Sequence, residues 1–120
     1  MDLPTHLVRA LYEHFQERNW AAASDLLHPG AVLEMPATRE ELEGRTAIMA
    51  FQRSYPEPCG ALTVLRVVGD DRQTAAAAEL EIVGPAGHFR CAAFWVADSG
   101  RLTQGVEYWV TVGGDEPPPR

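Results

Sequence analysis

Residues 99–111 read SGRLTQGVEYWVT. Ser99-Gly100 is a two-residue turn signal, and the run that follows has the β-branched and aromatic residues that suit a half-buried strand. Glu107 stands in the middle of that run, between Val106 and Tyr108-Trp109. Side chains alternate along a strand, so the turn decides which residues share a face with this carboxylate. With Asp98 opposite Arg101, Ala92 falls opposite Glu107, Phe94 opposite Gly105 and Arg90 opposite Trp109. One face then carries His88, Arg90, Ala92, Phe94, Val96, Gly105, Glu107 and Trp109. The other carries Phe89, Cys91, Ala93, Trp95, Gln104, Val106, Tyr108 and Val110.

Three more strand-like runs precede this one, at about 61–69, 73–83 and 88–98, separated by the turn signals Gly69-Asp70-Asp71 and Gly84-Pro85-Ala86-Gly87. The alanine-rich TAAAAELE (74–81) reads as strand because turns flank it and Leu80-Glu81-Ile82 alternates. The first third of the chain reads differently. Leu7, Val8, Leu11 and Phe15 recur at helix spacing, with Pro4 in the first turn and Asn19 placed to end this helix or cap the next. WAAASDLL (20–27) predicts a short second helix, and AVLEMP (31–36) a strand. Thr38-Arg39-Glu40-Glu41 has capping-box spacing, and Ile48, Phe51 and Tyr55 predict a helical face running to about 55. PEPCG (56–60) reads as a loop. Helices followed by an antiparallel meander is an α+β order.

The chain has 120 residues, which suits one domain over 1–112 with a flexible tail, GGDEPPPR, over 113–120. Its formal charge of −7 and scattered arginines argue against nucleic acid and against an anionic membrane surface. No apolar run approaches the ~20 residues needed to span a bilayer. The N-terminus lacks signal-peptide character, so a cytoplasmic protein is expected. Cys59 and Cys91 form no CxxC, and at most His88 and Glu107 share a face. Neither a disulfide framework nor a metal site is expected, and no cofactor is implied.

A helix layer covers one face of a sheet, and soluble monomers rarely leave a contiguous aromatic face bare. The expectation is that the helices enclose a cavity over the mixed face. The aromatic face (Phe89, Cys91, Trp95, Val106, Tyr108) would close against a second copy as a homodimer. Glu107 and Arg90 are then the candidate catalytic pair, or an internal ion pair that only holds the sheet. Arg90 is alternatively placed to stack on Trp109. His88 follows a turn and is either a solvated histidine or a ligand contact. The apolar candidates Phe15, Phe51, Met35, Leu80, Ile82 and Trp109 are core residues first and pocket walls second. The Gly-Pro-Ala-Gly turn can close in two ways. Val83 opposite His88 would bring Glu79 and Glu81 to the inner face; Ile82 opposite His88 would bring Leu80 and Ile82 there, and this second closure is expected because it buries apolar groups rather than two more carboxylates.

Three segments, in this order, resemble the nuclear-transport-factor-2-like superfamily, and its SnoaL-like branch in particular. They are the helical pair 7–28 leading into AVLEMP, EGRTAI (43–48), and SGRLTQGVEYW (99–109). The resemblance covers nearly the whole chain. It implies a cone or cystatin-like roll: a curved, mixed, mainly antiparallel sheet wrapped around the N-terminal helices, with an apolar cavity for a small hydrophobic molecule and frequent dimerisation through the sheet. Family members include isomerases, cyclases, dehydratases and epoxide hydrolases, besides non-catalytic binding modules. Isomerases of this kind use a carboxylate base where Met35 stands here. Their oxyanion hole aligns with Leu11 and Ala92, and Tyr12 lies about 100° further round the helix. Steroid-isomerase chemistry is therefore not expected. Two readings follow: a small-molecule-binding protein with acid/base catalysis of isomerase, cyclase or hydrolase type through Glu107, or a dimeric ligand- or protein-binding module without turnover.

Overall fold

The fold comes from a computed structural model, which describes residues 3–54 and 61–119. Helix α1 (Pro4–Glu17) begins with Pro4 in its first turn, where the missing N–H costs no helical bond, and ends on Arg18 in the left-handed conformation at φ 56°. Asn19 then caps α2 (Trp20–Asp25), its side chain accepting from the Ala22 N–H. The chain continues as β1 (Leu27–Met35), β2 (Glu40–Glu43), α3 (Arg45–Arg53), β3 (Ala61–Gly69), β4 (Ala75–Gly84), β5 (Gly87–Asp98) and β6 (Arg101–Thr111). The six strands form one sheet in the order β2-β1-β6-β5-β4-β3. Only the β1–β6 pair is parallel. This is the α+β architecture with a mixed, mainly antiparallel sheet that the sequence predicts.

Two local expectations are corrected. Strand β1 begins at Leu27 rather than 31, because Leu27 already pairs with Leu102 of β6. The capping-box segment is not a helix start: Thr38 lies in a turn, its hydroxyl meeting Glu40 Oε1 at 2.7 Å, and residues 40–43 pair with β1 as β2. Helix α3 starts only after Gly44, whose φ of 95° is a conformation that favours glycine. Tyr55, the PEPCG loop and Cys59 lie outside the described residues.

The register of β5 on β6 departs from simple alternation. Asp98 faces Arg101 across Ser99-Gly100, as expected. Ala97 pairs with Leu102 but Val96 with Gln104, so Thr103 is an extra residue, a β-bulge. Beyond it every partner moves by one: Trp95 faces Gly105, Ala93 faces Glu107, and Cys91 faces Trp109. The physical cause is burial. Leu102, Gly105 and Glu107 are all buried, yet Leu102 and Gly105 have opposite parity, and only an inserted residue turns both inward.

The inner face of the sheet therefore carries Ala76, Ala78 and Leu80 of β4, Cys91, Ala93 and Trp95 of β5, and Gly105 and Glu107 of β6. Against it lies the stripe Leu7, Val8, Leu11, Tyr12 and Phe15 of α1, with Ile48 and Met49 of α3 completing the core. The predicted face assignment is right for β6 and reversed for β5. Trp95, assigned to a dimer face, is 1% exposed beneath the protein's own helices, and Cys91 is buried with it.

Candidate functional site

Glu107 is the one charged residue among those buried in the described structure, at 3% exposure. Its surroundings come from three elements. From α1, Tyr12 donates its phenol proton to Glu107 Oε2 at 2.6 Å. From β6 itself, the Trp109 indole N–H donates to Oε1 at 3.0 Å. From β5, the Trp95 indole N–H donates to the Tyr12 oxygen at 2.9 Å. Each carboxylate oxygen thus holds one neutral donor, and among the described residues no cation pairs with it. Two carboxylate lone-pair directions remain beyond these bonds.

Burial is the main influence on the protonation of Glu107 and raises its pKa; the bonds from Tyr12 and Trp109 pull the other way without cancelling it. Tyr12 is pushed well above the usual phenol range, first by burial and then by the nearby carboxylate, so it stays a neutral donor. Cys91, the other ionisable group close by, is raised by the same causes and remains a thiol.

The structure separates the predicted pair. Arg90 lies on the outer face, opposite Val110 and Glu81, because the Thr103 bulge inverts β5 relative to β6. Its Nε donates to Glu81 Oε2 at 2.9 Å, and His88 Nε2 meets the same oxygen at 2.7 Å. The ladder continues through Glu79 to Arg66. Ala92 and Phe94 are on this outer face too, both exposed, so neither reaches Glu107. The Gly84–Gly87 turn closes with Val83 opposite His88, not with Ile82 there as expected. Since His88 points outward, Glu79 and Glu81 are outside, while Leu80 is buried inside and Ile82 shares its side of the strand.

The remaining apolar candidates stay with the interior. Leu11, Phe15, Met35 and Leu80 are buried, and Phe51, Ile82 and Trp109 are half-buried. Sequence reasoning missed Tyr12 and Trp95. For Tyr12 the signal was present: the apolar stripe 4, 7, 8, 11, 12, 15 is broad, and a helix stripe wider than 100° takes in both Leu11 and its neighbour. For Trp95 the signal was the parity conflict between Leu102 and Gly105.

Residues 8–105 match the family model of the SnoaL-like domain. Among solved structures, the chain is similar to a candidate ketosteroid isomerase from Kribbella flavida DSM 17836, at 26% identity and a TM-score of 0.82, over 98% of this chain and 87% of that one. It is similar also to an NTF-2 like protein of unknown function from Burkholderia xenovorans LB400, at 18% identity and a TM-score of 0.79, over 94% and 85% of the two chains. A third is a candidate polyketide cyclase from Xanthomonas campestris pv. campestris, at 20% identity and a TM-score of 0.72, over 88% of each. No curated protein matches the chain.

Proposed function

We propose, from the premise that this chain belongs to the SnoaL-like domain family, that it takes up a small apolar molecule between helices and sheet and moves a proton at Glu107. One observation carries this reading: a carboxylate in the core with neutral donors and, among the described residues, no cation. Burying a charge that lacks an opposite charge costs several kcal/mol, and an apolar side chain of similar size would stabilise the core better. A carboxylate whose proton affinity is raised by burial suits general acid/base work.

In this reading the carboxylate takes a proton from an activated carbon of the ligand, such as one beside a carbonyl. The electron pair stays on the ligand, and the carboxylic acid returns the proton at the same or another atom. Tyr12 and Trp109 hold the two oxygens in place, and the apolar walls keep water out. The description of the Kribbella protein as a candidate ketosteroid isomerase supports proton transfer as the reaction class. The test is deuterium exchange into a panel of apolar ketones in D2O, followed by NMR. Wild type is expected to accelerate exchange for at least one ketone, and Glu107→Gln to lose about 10²-fold or more of that rate. Equal rates in the two proteins would remove Glu107 from the chemistry.

A second reading, a dimeric module, rests on the outer sheet face. Phe94 is 51% exposed, Tyr108 50% and Val110 57%, and the Phe94 and Tyr108 rings meet edge to face at 6.0 Å. Val68, Ala77, Phe94 and Val106 form a row across four strands and line an apolar groove of about 390 Å³. An apolar face of this kind is what a self-complementary interface needs. The interface we propose is built on Phe94, Val96, Val106 and Tyr108, with Phe89, Cys91 and Trp95 excluded from it.

A further inference from the structure

Trp95 is fully buried, and its indole N–H is a donor with no acceptor role. In the core that donor is met by the Tyr12 oxygen at 2.9 Å. A phenol has a single proton. With Trp95 occupying the acceptor side, the Tyr12 proton goes to Glu107 Oε2, 2.6 Å away. The three groups form a one-way chain, indole to phenol to carboxylate, whose direction is fixed by its first member.

Two backbone features place the indole there. The Thr103 bulge sets Trp95 opposite Gly105. Gly105 leaves the space the ring fills: a Cβ built on it would stand 2.6 Å from Cε2 and from Cζ2 of the indole, closer than real contacts allow. Trp95 therefore lies flat over β6, its N–H end toward α1.

We infer that Trp95 is a positioning residue for the Glu107 site, acting through Tyr12, and that Gly105 is the residue that permits its position. The inference rests on the reading of Glu107 as the group that exchanges protons with a ligand. The indole commits the phenol to the carboxylate, so a bound molecule meets Glu107 directly and draws no hydrogen bond from Tyr12 while Glu107 is charged. A donor to the phenol oxygen also makes the phenol a stronger donor in turn, which favours the charged carboxylate. The two hydrogen bonds act in the same direction: the Trp95 bond lowers the proton affinity of Tyr12, and the Tyr12 bond lowers that of Glu107. Among the described residues, the ionisable groups facing Glu107 are Tyr12 from α1 and Cys91 from β5, and burial favours the neutral form of both.

The test is NMR titration of the full chain, with glutamate carboxyl carbons labelled with ¹³C and tryptophan indoles with ¹⁵N. In wild type the Trp95 indole resonance is expected to move with the Glu107 carboxyl, and in Tyr12→Phe that coupled movement is expected to vanish. Trp95→Phe is expected to raise the Glu107 midpoint, and to add nothing once Tyr12 is phenylalanine. A Trp95 indole that ignores Glu107 in wild type overturns the inference, and does so even if Trp95→Phe fails to fold. So does a midpoint shift from Trp95→Phe that persists undiminished in the Tyr12→Phe background, since it would then arise from packing. Failure of the parent reading looks different: Glu107→Gln would keep the ketone exchange rate while the titrations stayed coupled.

Discussion

Tyr12 and Glu107 stand 95 residues apart in sequence, and the phenol of one donates to the carboxylate of the other over 2.6 Å. The bond joins the first helix to the last strand. It replaces the ion pair that Arg90 would have supplied, and among the described residues the partners of Glu107 are neutral donors.

Tyr12→Phe removes a donor from Glu107 and leaves the Trp95 N–H facing an apolar ring. A lost hydrogen bond to a buried, charge-capable group costs about 1–3 kcal/mol, with the orphaned N–H contributing within that range. The expected result is a fall in stability of that order in urea unfolding, with the unfolding slope unchanged. A variant as stable as wild type would mean that the chain of donors contributes nothing to the fold.

Stability should respond to pH with opposite signs at two glutamates. Glu107 has its proton affinity raised in the fold, from an ordinary value near 4.5. Above that value the unfolded chain loses the proton before the native state does. Its contribution is therefore full at lower pH and is lost as pH rises through the folded-state value. Glu81 is lowered, chiefly by the hydrogen bond from His88 and then that from Arg90, so its contribution holds at higher pH and is lost on acidification. Urea midpoints across pH should lose the alkaline-side decline in Glu107→Gln and the acid-side decline in Glu81→Gln.

Gly105→Ala drives a methyl group into the Trp95 indole, since the nearest ring atoms would be 2.6 Å away. Overpacking of this kind costs typically about 1–3 kcal/mol. Thermal unfolding should show the loss, and Trp95 fluorescence should change with it. A neutral substitution would mean that the indole has a second, equally good seat.

The outer face offers a size test. If Phe94 and Tyr108 seat against a second copy, Tyr108→Glu should give a monomer by light scattering at concentrations where wild type is a dimer. Its side chain is half exposed, so the unfolding midpoint of the variant, at a concentration where both proteins are monomers, should stay close to that of wild type. A wild-type chain that stays monomeric across the concentration range would remove the dimer reading.

Much of the fold was legible because it follows from local chemistry. Pro4 and Asn19 mark helix boundaries, Ser99-Gly100 sets the last hairpin, and alternation at Leu80-Glu81-Ile82 overrides the helix preference of four alanines. Capping-box spacing at Thr38 misled, because a strand partner in β1 outweighed the local helix signal. The site was legible in part. Glu107 was placed inward correctly, but Arg90, His88, Ala92 and Phe94 were placed with it through a register that one inserted residue undoes.

The sequence by itself determined most of the elements and their order, β2 excepted, and that a carboxylate would lie inside the last strand, since turn chemistry and hydrophobic period act over a few residues. The tertiary structure alone decided what meets that carboxylate. A strand's parity is set by the burial of Leu102 and Gly105 together, and the reach of Tyr12 by how α1 lies across the sheet. Both depend on packing the whole core at once, which no short window of sequence contains.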